Sequence, residues 1–251
     1  MKDLNEKFEP ADYESLAPEY YDKARHPTCS DFRAASIELI SRYLEFASLK
    51  DALSPLEIGA GRSVFVDLSD KYQDLATRAV ATDRSMGMLR YTDRNASGPK
   101  LICASANALP FPKEQFDLVV ASLGDPYNDE SFWQEIERIL VPGGCCIFTT
   151  PALGWSSRYR SAQQNDSQAV AVFETSDGKH VAVPSFVLPI SEQIALIDRG
   201  GLITTDVWTF TRGMFRDGPT SSKIRNYSTS STPIVSQFVA RKADERPWRA
   251  H

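Results

Sequence analysis

Leu56-Glu57-Ile58-Gly59-Ala60-Gly61-Arg62-Ser63 reads as a buried strand that ends in a glycine-rich turn. Glycine has no Cβ, so such a turn can adopt positive φ and bring its N–H groups close to a ligand. A helical stretch follows, and Ala81-Thr82-Asp83 then closes a second apolar strand. The series strand, turn, helix, strand, acid is that of a nucleoside pocket in which Asp83 accepts hydrogen bonds from a ribose. A dinucleotide fingerprint wants a further glycine where this chain has Val64, which disfavours a nicotinamide enzyme.

Working outward, short apolar strands are predicted at 55–58, 79–82, 100–104, 116–122 and 145–150, with helices at about 62–76, 85–96 and 129–140. This alternation means a parallel sheet covered on both faces, an α/β, doubly wound architecture. Ligands of such sheets sit beyond the carboxyl ends of the strands. The glycine turn, Asp83, Ala104-Ser105 and Ser122 all fall at such ends. Pro142-Gly143-Gly144 is expected to stop the preceding helix and turn the chain into the fifth strand.

Flanking this unit, residues 1–50 read as an N-terminal lid and helix. The aromatics Phe8, Tyr13, Tyr20 and Tyr21 lie in a polar stretch, and a helix runs from Ser30 to about Leu49 with Ser30 or Asp31 as N-cap. Residues 51–251 form the main unit. Within it, 152–189 is an insert with a β-hairpin (169–174 and 180–187) turning at Ser176-Asp177-Gly178. A helix from Ser191 to Arg199 and an antiparallel pair, 202–210 and 234–241, complete the chain. The Gly/Ser/Thr-rich stretch 211–233 between that pair is expected to be a mobile loop.

The chain has 251 residues, 42% hydrophobic and 24% charged, with a formal net charge of −5. That suits one soluble domain with elaborations. No apolar run is long enough to span a bilayer, no signal segment opens the chain, and a cytoplasmic protein is expected. Cys29, Cys103, Cys145 and Cys146 lack metal-binding spacing and read as reduced thiols, so no metal is expected. Residues 152–251 carry 12 Lys/Arg against 9 Asp/Glu, and the remainder 16 against 24. The acidic part argues against an extended nucleic-acid groove.

Four stretches together resemble a class I S-adenosylmethionine-dependent methyltransferase of the small-molecule, ubiquinone/menaquinone-biosynthesis-like type. They are Glu57-Ile58-Gly59-Ala60-Gly61; Asp83-Arg84-Ser85-Met86-Gly87-Met88-Leu89; Ala108-Leu109-Pro110-Phe111-Pro112 with Phe116-Asp117-Leu118-Val119-Val120; and Arg138-Ile139-Leu140-Val141-Pro142-Gly143-Gly144. The resemblance covers roughly residues 20–151. It implies a seven-stranded, mostly parallel sheet whose last strand is antiparallel, with S-adenosyl-L-methionine over the first two strands. It implies cofactor contacts from Tyr21, Arg25, Glu57, Gly59, Gly61, Asp83, Arg84, Ser105, Ala106 and Ser122. Glu57 would orient the glycine loop and the cofactor's amino group, and Arg25 would pair with its carboxylate. Relatives usually carry Asp where this chain has Ser105, and a neutral hydroxyl is a weaker acceptor, by about 1 kcal/mol.

The function implied is methyl transfer to O, N or C of a small molecule, which needs alignment more than a base. For a catalytic group the candidates are His26, Asp125, Tyr127 and His180, each as readily structural. Gly124-Asp125-Pro126-Tyr127 resembles in part the Asp-Pro-Pro-Tyr motif of amino-group nucleic-acid methyltransferases, but only one Pro is present and the register is off. Two other readings stay open. One is a methyltransferase-like binding or scaffolding subunit with weakened cofactor use, docking a protein partner or a second copy through the Ser/Thr-rich loop and the Trp248 tail. The other is a tRNA or nucleic-acid methyltransferase, with salt-dependent binding.

Overall fold

Leu118 and Val120 point to one side of their strand, Val119 and Ala121 to the other, and all four are fully buried. A strand apolar on both faces belongs at the centre of a layered sheet. The computed structural model describes residues 9–10, 12–92, 98–157, 170–226 and 229–244. Its first elements are β1 (Glu9–Pro10), α1 (Tyr13–Tyr20), α2 (Pro27–Phe46), β2 (Pro55–Ile58), α3 (Val64–Asp67), α4 (Ser69–Arg78), β3 (Val80–Asp83), α5 (Met86–Leu89) and β4 (Lys100–Cys103). There follow β5 (Phe116–Ala121), α6 (Glu130–Ile139), β6 (Leu140–Pro151), α7 (Leu153–Ser156), β7 (Val170–Glu174), β8 (His180–Pro184), α8 (Ile190–Arg199), β9 (Ile203–Thr211), α9 (Ser222–Arg225) and β10 (Pro233–Arg241).

The main sheet has seven strands in the order β4-β3-β2-β5-β6-β10-β9. Neighbours pair parallel except β10, which is antiparallel to both β6 and β9. This is the doubly wound, mostly parallel sheet that the alternation predicts, with the antiparallel strand that the resemblance implies. Strand order reverses between β2 and β5, and the ends of these strands open the crevice where ligands of such sheets bind.

One face of the sheet packs Val119, Ala121, Cys146 and Phe148 against Phe132, Trp133 and Ile136 of α6 and Leu196 and Ile197 of α8. The opposite face packs Leu118, Val120, Cys145 and Ile147 against Ile40, Tyr43 and Leu44 of α2, and against Phe65 and Leu75 of α3 and α4. The predicted hairpin is β7 and β8, and β1 adds to β8 in parallel, a pairing with no sequence signal. Leu16 of α1 packs on Val181 and Val183 of β8. The N-terminal segment and the insert thus form one cap over the strand ends.

Several local expectations are corrected. The helix expected over 62–76 is divided into α3 and α4 at Leu68. Of the helix expected over 85–96 only α5 is helical, and residues 93–96 lie outside the described residues. Pro142-Gly143-Gly144 lies inside β6 rather than before it. Phe116 pairs with Leu140 and Leu118 with Cys145, so the glycines form an excursion within one ladder, Gly143 at φ 80°. The long helix starts at Pro27 with His26 at the N-cap. Asp31 instead accepts the N–H groups of Thr220 and Ser221 at 3.1 and 2.7 Å. The stretch 211–233 contains a 3-10 turn, Arg212–Met214, and α9 rather than an unstructured loop. The Trp248 tail and residues 158–169 of the insert lie outside the described residues. Among the described residues no helix is long and apolar enough to cross a membrane, and all four cysteines are free thiols.

Candidate active site

Gly59 and Gly61 leave the end of β2 at φ 62° and 47°, in the left-handed region that favours glycine. A Cβ on Gly59 would run into Tyr127, and one on Gly61 into the Tyr21 hydroxyl. The turn is shaped from beneath by Glu57. Its carboxylate is fully buried and accepts the Ser63 hydroxyl at 2.5 Å and the Val64 N–H at 2.8 Å. Both oxygens are thereby engaged within the segment that follows the glycines. Burial pushes its pKa up to about 7, against the opposing pull of those hydrogen bonds.

At the tip of β3, Asp83 accepts the Gly61 N–H on one oxygen at 2.9 Å and the Ser85 N–H on the other at 2.8 Å. Burial raises its pKa despite these bonds. An ionised carboxylate has about four acceptor positions, so half-buried Asp83 keeps acceptor capacity beyond these two bonds. Ser105 follows β4 with its side chain exposed, next in line along the strand tips. Ala106 is buried in the core below it, so only its backbone can meet a ligand. Arg84 is exposed.

The lid reaches the same turn. Tyr21 accepts the Arg62 N–H on its phenol oxygen at 2.7 Å, and Arg33 stands over its ring, 5.9 Å from the centroid. Two fastenings carried no sequence signal. Thr92 donates to the Gly61 carbonyl at 2.6 Å and accepts the Ser63 N–H at 2.9 Å. Glu14 of α1 accepts the Ser85 hydroxyl at 2.6 Å and the Gly87 N–H at 2.8 Å.

Of the other candidates, Tyr127 stands against Gly59. Ser122 is bonded to Ser36 of α2 at 2.7 Å, in a chain that continues to Thr149. Tyr127 is a structural prop whose hydroxyl donates to the Ile58 carbonyl at 2.8 Å. His180 faces Glu174 across the hairpin, 4.0 Å away. Arg25 ion-pairs with Glu19 and Asp22 at 3.8 and 3.9 Å, and lines a separate cavity rather than the turn. That cavity, of about 330 Å³, is bounded by the lid, the ends of β5 and β6, the hairpin and α9. His26 and Asp125 both line it. Asp125 accepts the Ser185 hydroxyl, and the ring of Tyr20 closes the side next to Tyr21.

The fold and turn define the class: a class I methyltransferase fold. More particularly, residues 56–148 match the family described as methyltransferase domain. The chain is 30% identical over 101 residues to malonyl-[acyl-carrier protein] O-methyltransferase of Halorhodospira halophila, covering 38% of this chain and 34% of that one. It is 32% identical over 104 residues to demethylmenaquinone methyltransferase of Renibacterium salmoninarum, covering 39% and 43%. The match therefore spans less than half the length of these relatives. The crystal structure of an S-adenosylmethionine-dependent methyltransferase from Mesorhizobium loti superposes with a TM-score of 0.53 at 18% identity, over 76% of this chain and 91% of that one.

Proposed function

We propose that the chain transfers a methyl group from S-adenosylmethionine to O, N or C of a small molecule. The observation that carries this is Asp83, which stands half-buried at the tip of β3, buttressed by two backbone N–H groups, beside a turn of positive-φ glycines. When bound, S-adenosylmethionine supplies an electrophilic methyl on a positively charged sulfur. Asp83 accepts the ribose hydroxyls, and the exposed Ser105 hydroxyl accepts from the adenine edge. The amino-acid end would lie at the Gly59–Gly61 turn, beside the Tyr127 and Tyr21 side chains that stand over the two glycines. Covering the site excludes water around a charge that disperses in the transition state.

Calorimetry with S-adenosylhomocysteine tests the reading. Binding is expected in the micromolar range, and no heat at high micromolar ligand would overturn it.

A further inference from the structure

Helix α2 opens onto the cavity between the lid, the hairpin and α9. Its first three residues, Pro27, Thr28 and Cys29, line that space. The leading N–H groups of a helix have no partner inside it, and a capping side chain or an acid in the first turn ordinarily answers them. In α2 neither position does so: His26 at the N-cap makes no capping bond, and the first turn holds no acidic residue. Asp31, one turn further on, is spent on Thr220 and Ser221. A helix of 20 residues thus turns its positive end to an internal space.

A second, independent feature sits at that end. His26 lines the cavity and is 9% exposed, and its Nε2 has no hydrogen-bond partner among the described residues, although buried polar atoms are ordinarily paired. Burial lowers its pKa and keeps the ring neutral, and a neutral imidazole can carry its proton on Nε2 and donate it. Arg25 and Lys223 bring two cations to the same wall. The Cys29 thiol, pushed up to about 12 by burial, adds no negative charge near neutral pH.

Two acids line the cavity as well. Asp125 accepts the Ser185 hydroxyl, and Glu174 has a mostly exposed side chain beside His180. Two cations against two acids leave the choice of charge to the helix end and Nε2, which suits one negative charge and not two. The remaining wall is aromatic: Phe32 and Trp155 meet edge to face at 4.8 Å, and the Phe173 ring lies 5.9 Å from Tyr20 and 5.6 Å from His26. The volume of about 330 Å³ lies at the small end of ligand pockets, with room for one ring and a short chain.

We propose that this cavity binds a small organic carboxylate with an aromatic or apolar body, its acid group held at the α2 N-terminus by the Thr28 and Cys29 N–H groups and by His26 Nε2. The glycine turn, Tyr21 and Asp83 do not line the cavity, so the inference stands apart from the methyl-transfer reading.

The full chain is titrated by calorimetry at pH 7.5 with 3-phenylpropionate, with the neutral 3-phenylpropan-1-ol and with the doubly charged 2-phenylethyl phosphate. The carboxylate is expected to bind more tightly than either by at least about tenfold. His26→Phe keeps a flat ring against Phe173 and removes Nε2. In that variant the advantage of the carboxylate over the alcohol should shrink by at least about fivefold. Unchanged alcohol affinity and melting temperature show that the cavity is still formed. Lys223→Gln should weaken the carboxylate and leave the alcohol as it is. Equal binding of carboxylate and alcohol, tighter binding of the phosphate, no heat from any of the three, or an undiminished advantage in His26→Phe overturns the proposal. S-adenosylhomocysteine titrated in parallel reports on the methyl-transfer reading alone: its failure to bind, with carboxylate binding retained, overturns that reading and leaves this site standing.

Discussion

The phenol oxygen of Tyr21 accepts the backbone N–H of Arg62 at 2.7 Å, so the N-terminal segment is fastened directly to the glycine turn. Burial holds that phenol protonated, with its pKa pushed up to about 12, and it therefore remains able to donate to a ligand while it accepts from the turn. Tyr21→Phe keeps the ring and removes both bonds. Arg62 is exposed, so water replaces the lost acceptor and the loss is near the ordinary net value of about 1 kcal/mol. S-adenosylhomocysteine affinity should fall roughly fivefold by calorimetry, and the melting temperature of the ligand-free protein by about 2–4 °C. A parent-like affinity would show that the Tyr21 hydroxyl contributes nothing to binding.

Asp83 has a double part, since its carboxylate shapes the turn through Gly61 and Ser85 before any ligand arrives. Asp83→Ala removes the ribose acceptor and leaves both N–H groups without their partner. Hydrogen bonds to charged groups contribute about 1.5–3 kcal/mol each, so S-adenosylhomocysteine affinity should fall by at least about 100-fold. Asp83→Asn keeps one acceptor oxygen and should retain more of it. Calorimetry on the two variants separates loss of charge from loss of the turn: equal losses in both would mean that the charge alone matters.

Glu14 ties the lid to the loop after β3 through Ser85 and Gly87, and these bonds hold its carboxyl below the usual range. A depressed carboxylate stabilises the fastened state above its unfolded value, and that contribution is lost as pH falls through the depressed one. The lid should therefore loosen in acid, below about pH 4. Hydrogen exchange over residues 13–21 should accelerate there before the sheet does. In Glu14→Gln the same segment should already exchange faster at neutral pH. Equal protection in variant and parent would remove Glu14 as the fastening.

What the sequence exposes is local. The Gly59-Ala60-Gly61 turn and the Asp83 strand end are legible because glycine and a lone acid at a strand tip have few other uses. The seven sheet strands are legible from apolar runs, and β2 falls where its residues predict. Ser122, Glu14 and Thr92 are not legible, since their partners Ser36, Ser85, Gly61 and Ser63 come from other elements. Nothing in the order of residues announces which hydroxyl meets which. The same holds for the cavity, whose wall joins Phe32 of α2, Trp155 of α7 and Phe173 of β7.

Glu57 carries the remaining prediction, and its sign is opposite to that of Glu14. Its folded pKa of about 7 lies above the ordinary 4.5, because burial opposes ionisation more than Ser63 and Val64 favour it. The native state therefore binds the proton more tightly than the unfolded chain. This contribution to stability is fully present below the unfolded value and is lost as pH rises through about 7. Its upper limit is on the order of 3 kcal/mol. Glu57→Gln removes the titration while its amide carbonyl still accepts the Val64 N–H and its NH2 can donate to the Ser63 hydroxyl. Urea denaturation at intervals between about pH 5 and 8 should show the parent losing stability relative to the variant as pH rises. Every other titrating group is common to both proteins, so the difference between the two curves isolates Glu57. Parallel curves would mean that the buried carboxyl does not change its charge there.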